Sequence, residues 1–287
     1  MHSIYTVLVD GRRTECRIKG KVLRADARAW NPIAPGDIVQ IDPEGRIISL
    51  AARRTVLERW NKKVRAPQIL AANADSAVCV TSPQAPPFRP RFIDRLIVAA
   101  EAGGLAPLIV LNKDDLPCAP ETTVRLERYA EMGYQVLRCS ARTGAGVDRL
   151  AAALAGTTTV FVGQSGVGKS SVLNALQPGL AQKVGVLSTK HDRGSHTTNY
   201  PALIQLDGGL RIIDTPGIRE LELADVLPED IAFHFRDFAA SLRACQLPAC
   251  LHDGEPGCAV LAAVERGEIH PDRYESYRRI LSELRDG

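Results

Sequence analysis

No run of about 18 or more apolar residues occurs in the 287-residue chain, so the sequence offers no candidate membrane span. The opening stretch "MHSIYTVLVDGRRTEC" lacks a charged segment leading into an apolar one, and no secretory signal is expected. A disulfide framework is missing too. The cysteines number seven, and four of them stand singly at Cys16, Cys79, Cys118 and Cys139. That usage fits a reducing compartment, and a cytoplasmic protein is expected. Internal repeats and low-complexity segments are absent. What is present is an ordinary soluble composition, 45% hydrophobic and 24% charged, with length for one large domain or roughly two to three smaller ones.

The net charge of +3 is unevenly spread. Residues 1–70 hold 14 Lys and Arg against 7 Asp and Glu, and the remainder holds 22 against 26. A basic first part on an acidic remainder points to a polyanion, RNA before membrane, held through phosphate contacts. A merely solvated basic surface is the other reading of the same charges.

Residues 1–50 read as short strands, "YTVLVD", "TECRIKG", "DIVQID" and "RIISLA", separated by turn signals at Asp10-Gly11, Pro35-Gly36-Asp37 and Pro43-Glu44-Gly45. Strands at that spacing suggest a small β-barrel of the OB type, which binds single-stranded nucleic acid. "RRTVLERWNKKVRAPQ" (Arg53 to Gln68) shows little periodicity and reads as a basic connector. Beyond it, "SAVCVTS" and "APLIVLN" are continuous apolar runs, as in strands covered on both faces of a parallel sheet. Helical segments alternate with them: "PRFIDRLIVAAEAGG", "ETTVRLERYAEMG", "VDRLAAALAG" and "SSVLNALQPG". This is the grammar of an α/β domain. After "LRIIDTPG" the chain turns mainly helical.

"GQSGVGKSS" satisfies G-x-x-x-x-G-K-[ST] in full, with Gly163, Gln164, Ser165, Gly166, Val167, Gly168, Lys169, Ser170 and Ser171. Glycines let backbone N–H groups close around phosphate oxygens. Lys169 would reach the β- and γ-phosphates, and the Ser170 hydroxyl would ligate Mg²⁺. The helix that follows aims its positive end at the same anion. A phosphate loop does not choose a base, but "NKDD" does. Asp115 can accept two parallel hydrogen bonds from the N1–H and N2–H₂ edge of guanine, whereas adenine has no such donor pair. Asn112 can reach the purine N7 region and support the loop, and the Lys113 stem can lie along the base. Ser140-Ala141, just past a strand, matches the short motif that backs guanine in many GTP-binding proteins.

"RIIDTPG" puts Asp214 at a strand end in D-x-x-G, where the carboxylate can hold Mg²⁺ through water and Gly217 can sense a γ-phosphate. Between the phosphate loop and Asp214, "VGVLSTKHDRGSHTTNY" carries Thr197 and Thr198, either of which could supply the Mg²⁺ hydroxyl. Many GTPases place glutamine after the D-x-x-G glycine. Here that residue is Ile218, which cannot orient water, so intrinsic hydrolysis should be slow unless another group substitutes. His196, beside the threonines, is the candidate.

"CQLPACLHDGEPGC" spaces Cys245, Cys250, His252 and Cys258 as C-x₄-C-x-H-x₅-C. Three thiolates and an imidazole make a closed tetrahedral shell suited to one structural Zn²⁺, with no open position for water.

Together "RRTVLER", "ILAANADSAVCVTS", "NKDD", "GQSGVGKSS", "GSHTT", "IDTPGIRE" and "CQLPACLHDGEPGCAV" resemble the ribosome small-subunit-dependent GTPase A family. That resemblance implies an OB-fold over 1–68, a circularly permuted GTPase domain over 69–222 and a zinc-binding domain over 223–287. It also implies GTP hydrolysis stimulated by the 30S subunit, with His196 at the family's proposed catalytic position. Family members often carry Arg or Gln before that histidine, where this chain has Ser195. The expected partners are the 30S subunit with its 16S rRNA, and GTP or GDP, with the chain a monomer. Relative to an unpermuted GTPase the motifs run fourth, fifth, first, second, third (G4-G5-G1-G2-G3), and Thr143 to Thr159 would join the old termini. The chain leaves Gly217 straight into the cysteine-bearing part, so nucleotide state is expected to reposition that part. Two other readings stay open. One is a nucleotide-gated RNA-binding module with incidental hydrolysis. The other, disfavoured by Asp115, is an ATPase or kinase.

Overall fold

The computed structural model describes residues 4–19, 29–178, 202–206, 209–215, 218 and 221–286. Strands β1 (Ile4–Val9) and β2 (Arg12–Ile18) form an antiparallel hairpin across Asp10-Gly11. Both turn residues have positive φ, 49° and 76°, as a two-residue hairpin loop requires. Strands β3 (Val39–Ile41) and β4 (Arg46–Leu50) follow, β4 running parallel to β2, and the order is β1-β2-β4-β3. All four strands expected in this region form; among the described residues they make a four-stranded sheet.

The stretch read as a connector is instead a hairpin of β5 (Val56–Asn61) and β6 (Ala66–Ala72). Its register shifts between Leu57 and Glu58, and such a bulge breaks the period of two that reveals a strand. The basic residues collect at the turn, while Leu57, Ile69, Leu70, Ala71 and Ala72 are buried. The hairpin is tied on both sides. Ala72 N–H donates to Pro35 O at 2.9 Å and Val56 N–H to Gly103 O at 3.0 Å. A Cβ on Gly103 would stand 1.8 Å from Val56 O, so only glycine ends the neighbouring helix there. Position 68/69 falls inside β6.

The second sheet has six strands: β7 (Ser76–Thr81), β8 (Ala106–Leu111), β9 (Gln135–Arg138), β10 (Thr158–Gly163), β11 (Ala202–Gln205) and β12 (Arg211–Asp214). Their order is β11-β12-β10-β7-β8-β9. All pairings are parallel except β11 with β12, and β11 is an edge strand without a counterpart in the sequence reading. Helices α1 (Pro90–Ala102), α2 (Pro120–Glu131), α3 (Val147–Leu154) and α4 (Lys169–Leu176) cover it. From β7 the chain adds strands outward to β9. It then returns through α3 to place β10 on the other side of β7, and this crossover is the segment expected to join the old termini. The order therefore reverses between β7 and β10, where doubly wound sheets bind ligands at their carboxyl ends.

Helices α5 (Ala239–Ala244), α6 (Ala259–Glu265) and α7 (Pro271–Asp286) complete the chain. No helix among the described residues is long and apolar enough to cross a membrane. One hydrophobic cluster runs from Leu57 and Ile93 through Ile218 and Leu221 to Phe235, Tyr277 and Leu281. A buried charge network crosses it. Asp94 of α1 accepts from Arg125 Nη2 (2.9 Å), from Tyr129 Oη and from Arg273 of α7, and Arg273 also pairs with Asp237 at 2.9 Å. Removing one partner of such a network strands the opposite charge, at a cost of about 3–5 kcal/mol. Arg273→Ala should lower the unfolding free energy by about that much, read from the denaturant midpoint.

Candidate functional site

The carboxyl ends of β10, β7, β8 and β9 gather the base and phosphate motifs at one edge. The phosphate loop leaves β10 at Gly163, where a Cβ would meet Val80 O at 2.5 Å. At Gly168, φ is 92° and a Cβ would stand 2.4 Å from Asn112 Nδ2. Glycine is therefore required twice, once for close strand packing and once for a left-handed backbone against Asn112.

Asn112 ties three motifs together. It is 1% exposed, its Nδ2 donates to Val167 O at 2.9 Å, and its Oδ1 accepts from Ala141 N–H at 3.0 Å. The base-reading loop, the phosphate loop and the Ser-Ala turn thus share one buried amide. Lys113, at φ 62°, donates from Nζ to Gly166 O at 2.7 Å and to Ala85 O. Its stem is thereby fixed beside the phosphate loop. The Ala85 contact comes from the loop after β7, which the sequence reading did not single out.

Asp115 accepts from the Ser140 hydroxyl at Oδ1 and from Arg142 Nε at Oδ2, the latter at 2.9 Å. Those two contacts, Ser140 first, hold its carboxyl below the ordinary aspartate range, so it is ionised and acceptor-only at neutral pH. The adjacent Asp114 pairs with Arg138 at 2.7 Å. Neither arginine was among the sequence candidates. Arg142 is the third residue of the Ser-Ala motif, and that position was the one signal that could have found it.

On the phosphate side, Lys169 and Asp214 are largely buried and face each other electrostatically. Burial pushes the lysine down and the aspartate up, while each partner's charge opposes the shift. Asp214 Oδ1 is buried with no hydrogen-bond partner among the described residues. An orphaned carboxylate oxygen beside a phosphate loop fits the water-mediated Mg²⁺ contact expected of this residue. Ser170 lies in the first turn of α4 and is exposed. Ile218 is buried in the main core, consistent with its having no part in orienting water. Ser195, His196, Thr197, Thr198 and Gly217 lie outside the described residues.

Cys245, Cys250, His252 and Cys258 come together in the C-terminal part, with their ligand atoms all within 4.8 Å of one another. His252 Nδ1 is 3.2 Å from Cys258 Sγ. The loop is braced from α7, where Tyr274 Oη donates to His252 O at 2.8 Å and Tyr277 Oη to Leu251 O. Glu255 caps Leu251 N–H at 2.8 Å and Asp253 N–H at 2.7 Å. Three sulfurs and an imidazole at this separation, with backbone held from outside, suit a closed tetrahedral zinc shell.

A family model described as RsgA GTPase matches residues 50–224. The chain belongs to the RsgA GTPase family. It is a GTPase, with its motifs in circularly permuted order. A relative from Borreliella burgdorferi (strain ZS7), named small ribosomal subunit biogenesis GTPase RsgA, is 36% identical across 100% of this chain and 94% of its own length. The crystal structure of YjeQ from Thermotoga maritima superposes with a TM-score of 0.74 at 31% identity, covering 98% of this chain and 94% of that one. YloQ, described as a circularly permuted GTPase, gives 0.69 at 32% identity, covering 99% and 91%. Both of these solved structures share this arrangement over nearly the whole of this chain.

Proposed function

We propose that this RsgA-family GTPase binds the small ribosomal subunit and hydrolyses GTP to GDP and phosphate late in 30S maturation, with the subunit stimulating hydrolysis. The end-to-end match to a relative named for small ribosomal subunit biogenesis carries this reading. The charge supports it, since residues 1–70 are strongly basic and phosphate contacts dominate RNA affinity. In this reading residues 1–68 form an OB-type RNA-binding part that contacts 16S rRNA. Residues 69–222 are the GTPase, residues 223–287 hold one structural Zn²⁺ through Cys245, Cys250, His252 and Cys258, and the protein acts as a cytoplasmic monomer.

GTP would lie across the switch point between β10 and β7. Asp115 reads the guanine edge, with Asn112, Lys113, Ser140 and Ala141 shaping its pocket. Backbone N–H groups from Gly163 to Ser171 wrap the phosphates. Lys169 meets the β- and γ-phosphates, and Gly217 senses the γ-phosphate. Ser170, Asp214 and one of Thr197 and Thr198 would hold Mg²⁺, which supplies charge neutralisation between the phosphates. With Ile218 buried, His196 is the group assigned to orient the attacking water.

Steady-state GTP turnover with and without purified 30S subunits tests this. Stimulation is expected, and His196→Ala should remove about a hundredfold or more of the stimulated rate while GTP affinity stays unchanged. A nucleotide-gated binding module would show no stimulation, and an unaltered stimulated rate in the variant would sink the histidine's role.

A further inference from the structure

We propose that Arg142 is an internal stand-in for guanine. Its guanidinium takes Oδ2 of Asp115, an oxygen that the base must also use, so nucleotide binding is an exchange of one donor group for another. This rests on the reading of Asp115 as the guanine-recognising carboxylate.

Arg142 Nε and Nη2 both approach Asp115 Oδ2, at 2.9 and 2.8 Å. A guanidinium presents two adjacent N–H donors in a plane, and so does guanine at N1 and N2. Ser140 approaches the same carboxylate at its other oxygen, Oδ1, and leaves the Oδ2 side to one of these two donors.

Exposure says which side that is. The Asp115 side chain is 11% exposed and Arg142 is 75% exposed. The guanidinium therefore lies on the solvent side of the carboxylate, where a base reaching Asp115 would have to displace it. Among the described residues Asp115 is its one polar partner, so no second contact holds it there. The backbone beneath it is fixed independently. Gly144 N–H donates to Ser140 O at 2.9 Å and Thr143 N–H to Ser140 Oγ at 3.2 Å. Displacing Arg142 therefore requires side-chain rotation alone. Arg138, which pairs with the neighbouring Asp114 at 2.7 Å, leaves the Asp115 edge untouched.

An ion pair with so exposed a partner is weak, which suits a contact that must yield to a ligand. A bound guanine would displace it, so removing it should tighten guanine-nucleotide binding by roughly two- to fivefold at low salt. Added salt screens the pair in the wild type, and the gap should close as ionic strength rises.

The experiment measures GDP and ADP affinity for the full chain and for Arg142→Ala at low and high salt. The same arginine substitution is repeated in an Asp115→Asn background with xanthosine diphosphate. Xanthine carries an acceptor where guanine has its N2 amine, so it pairs with a carboxamide and has the same phosphates as GDP. Arg142→Ala is expected to tighten GDP binding in the wild-type background and to leave xanthosine diphosphate binding unchanged, because the carboxamide has no charge to pair. Unchanged or weakened GDP binding would overturn the proposal. So would an equal gain in both backgrounds, which would make the effect a general one of charge on the phosphates. If the wild type binds ADP as tightly as GDP, the reading of Asp115 fails, and the proposal fails with it.

Discussion

Chelating the metal from the Cys245–Cys250–His252–Cys258 shell, or replacing Cys258 by Ser, is expected to unfold the C-terminal part. Helices α5 and α6 have six and seven residues, far below the length at which an isolated helix persists. The loop between them holds a left-handed backbone at Ala249, His252, Gly254 and Gly257, and the two that are not glycine cost about 1–2 kcal/mol each. Something must over-determine that geometry. Tyr274, Tyr277 and Glu255 brace the loop from outside, so the four ligands are the natural constraint from within. A structural zinc contributes about 10–16 kcal/mol of apparent binding free energy, as much as the whole stability of a typical domain. The damage should also spread, since Cys258, Val260, Phe235 and Tyr277 belong to the same core cluster as Ile93 and Leu96 of α1. Metal analysis should find one zinc per chain. Hydrogen exchange after chelation should show lost protection across 239–286 and partial loss in α1. Metal-free protein with an unaltered exchange pattern would refute the assignment.

What the sequence made legible follows from how each element is stabilised. Strands β7, β8 and β10 are buried on both faces, so their apolar runs stand out without any periodicity. The phosphate loop and the base-reading motif are legible because their chemistry needs fixed spacing along one chain segment. The hairpin β5–β6 escaped because its bulge at Leu57/Glu58 disrupts alternation, and its turn charges look like a linker. Strand β11 is a four-residue edge whose pairing partner, β12, determines it more than its own residues do. Asp94 sits within the helical pattern "PRFIDRLIV", where a carboxylate ordinarily marks the solvent side, yet it is fully buried. Its partner Arg273 lies 179 residues away, and local pattern cannot report a charge pair at that distance. The Arg142–Asp115 contact escaped for a related reason, since the third residue of the Ser-Ala motif is free to vary in the chemistry the motif serves. The switch residues His196, Thr197 and Thr198, so plain as letters, lie outside the described residues.

Asp115→Asn is expected to weaken GTP and GDP binding by about 10²- to 10⁴-fold, the loss of two charge-assisted hydrogen bonds at about 1.5–3 kcal/mol each. The substituted amide sets an N–H₂ group against a guanine donor, so the mismatch is repulsive as well as empty. Xanthosine triphosphate should restore binding to near the wild-type level for GTP, whereas ATP should not. Stability should hardly move, because the ion pair the substitution removes has an Arg142 that is 75% exposed, and such pairs contribute about 0–1 kcal/mol. Turnover of bound xanthosine triphosphate should survive. Asp115 sits past β8, while Lys169 and Asp214 lie on the β10–β12 side of the switch point. The two halves meet at Asn112, whose amide stays bonded to Val167 and Ala141, and at Lys113, whose Nζ bonds Gly166 O, and neither contact depends on the Asp115 charge. If kcat fell together with affinity even at saturating xanthosine triphosphate, base reading and phosphate chemistry would not be separable in this fold. A saturated kcat near the wild-type value would instead make Asn112 and Lys113 the side chains through which the permuted order still delivers a common base-and-phosphate site.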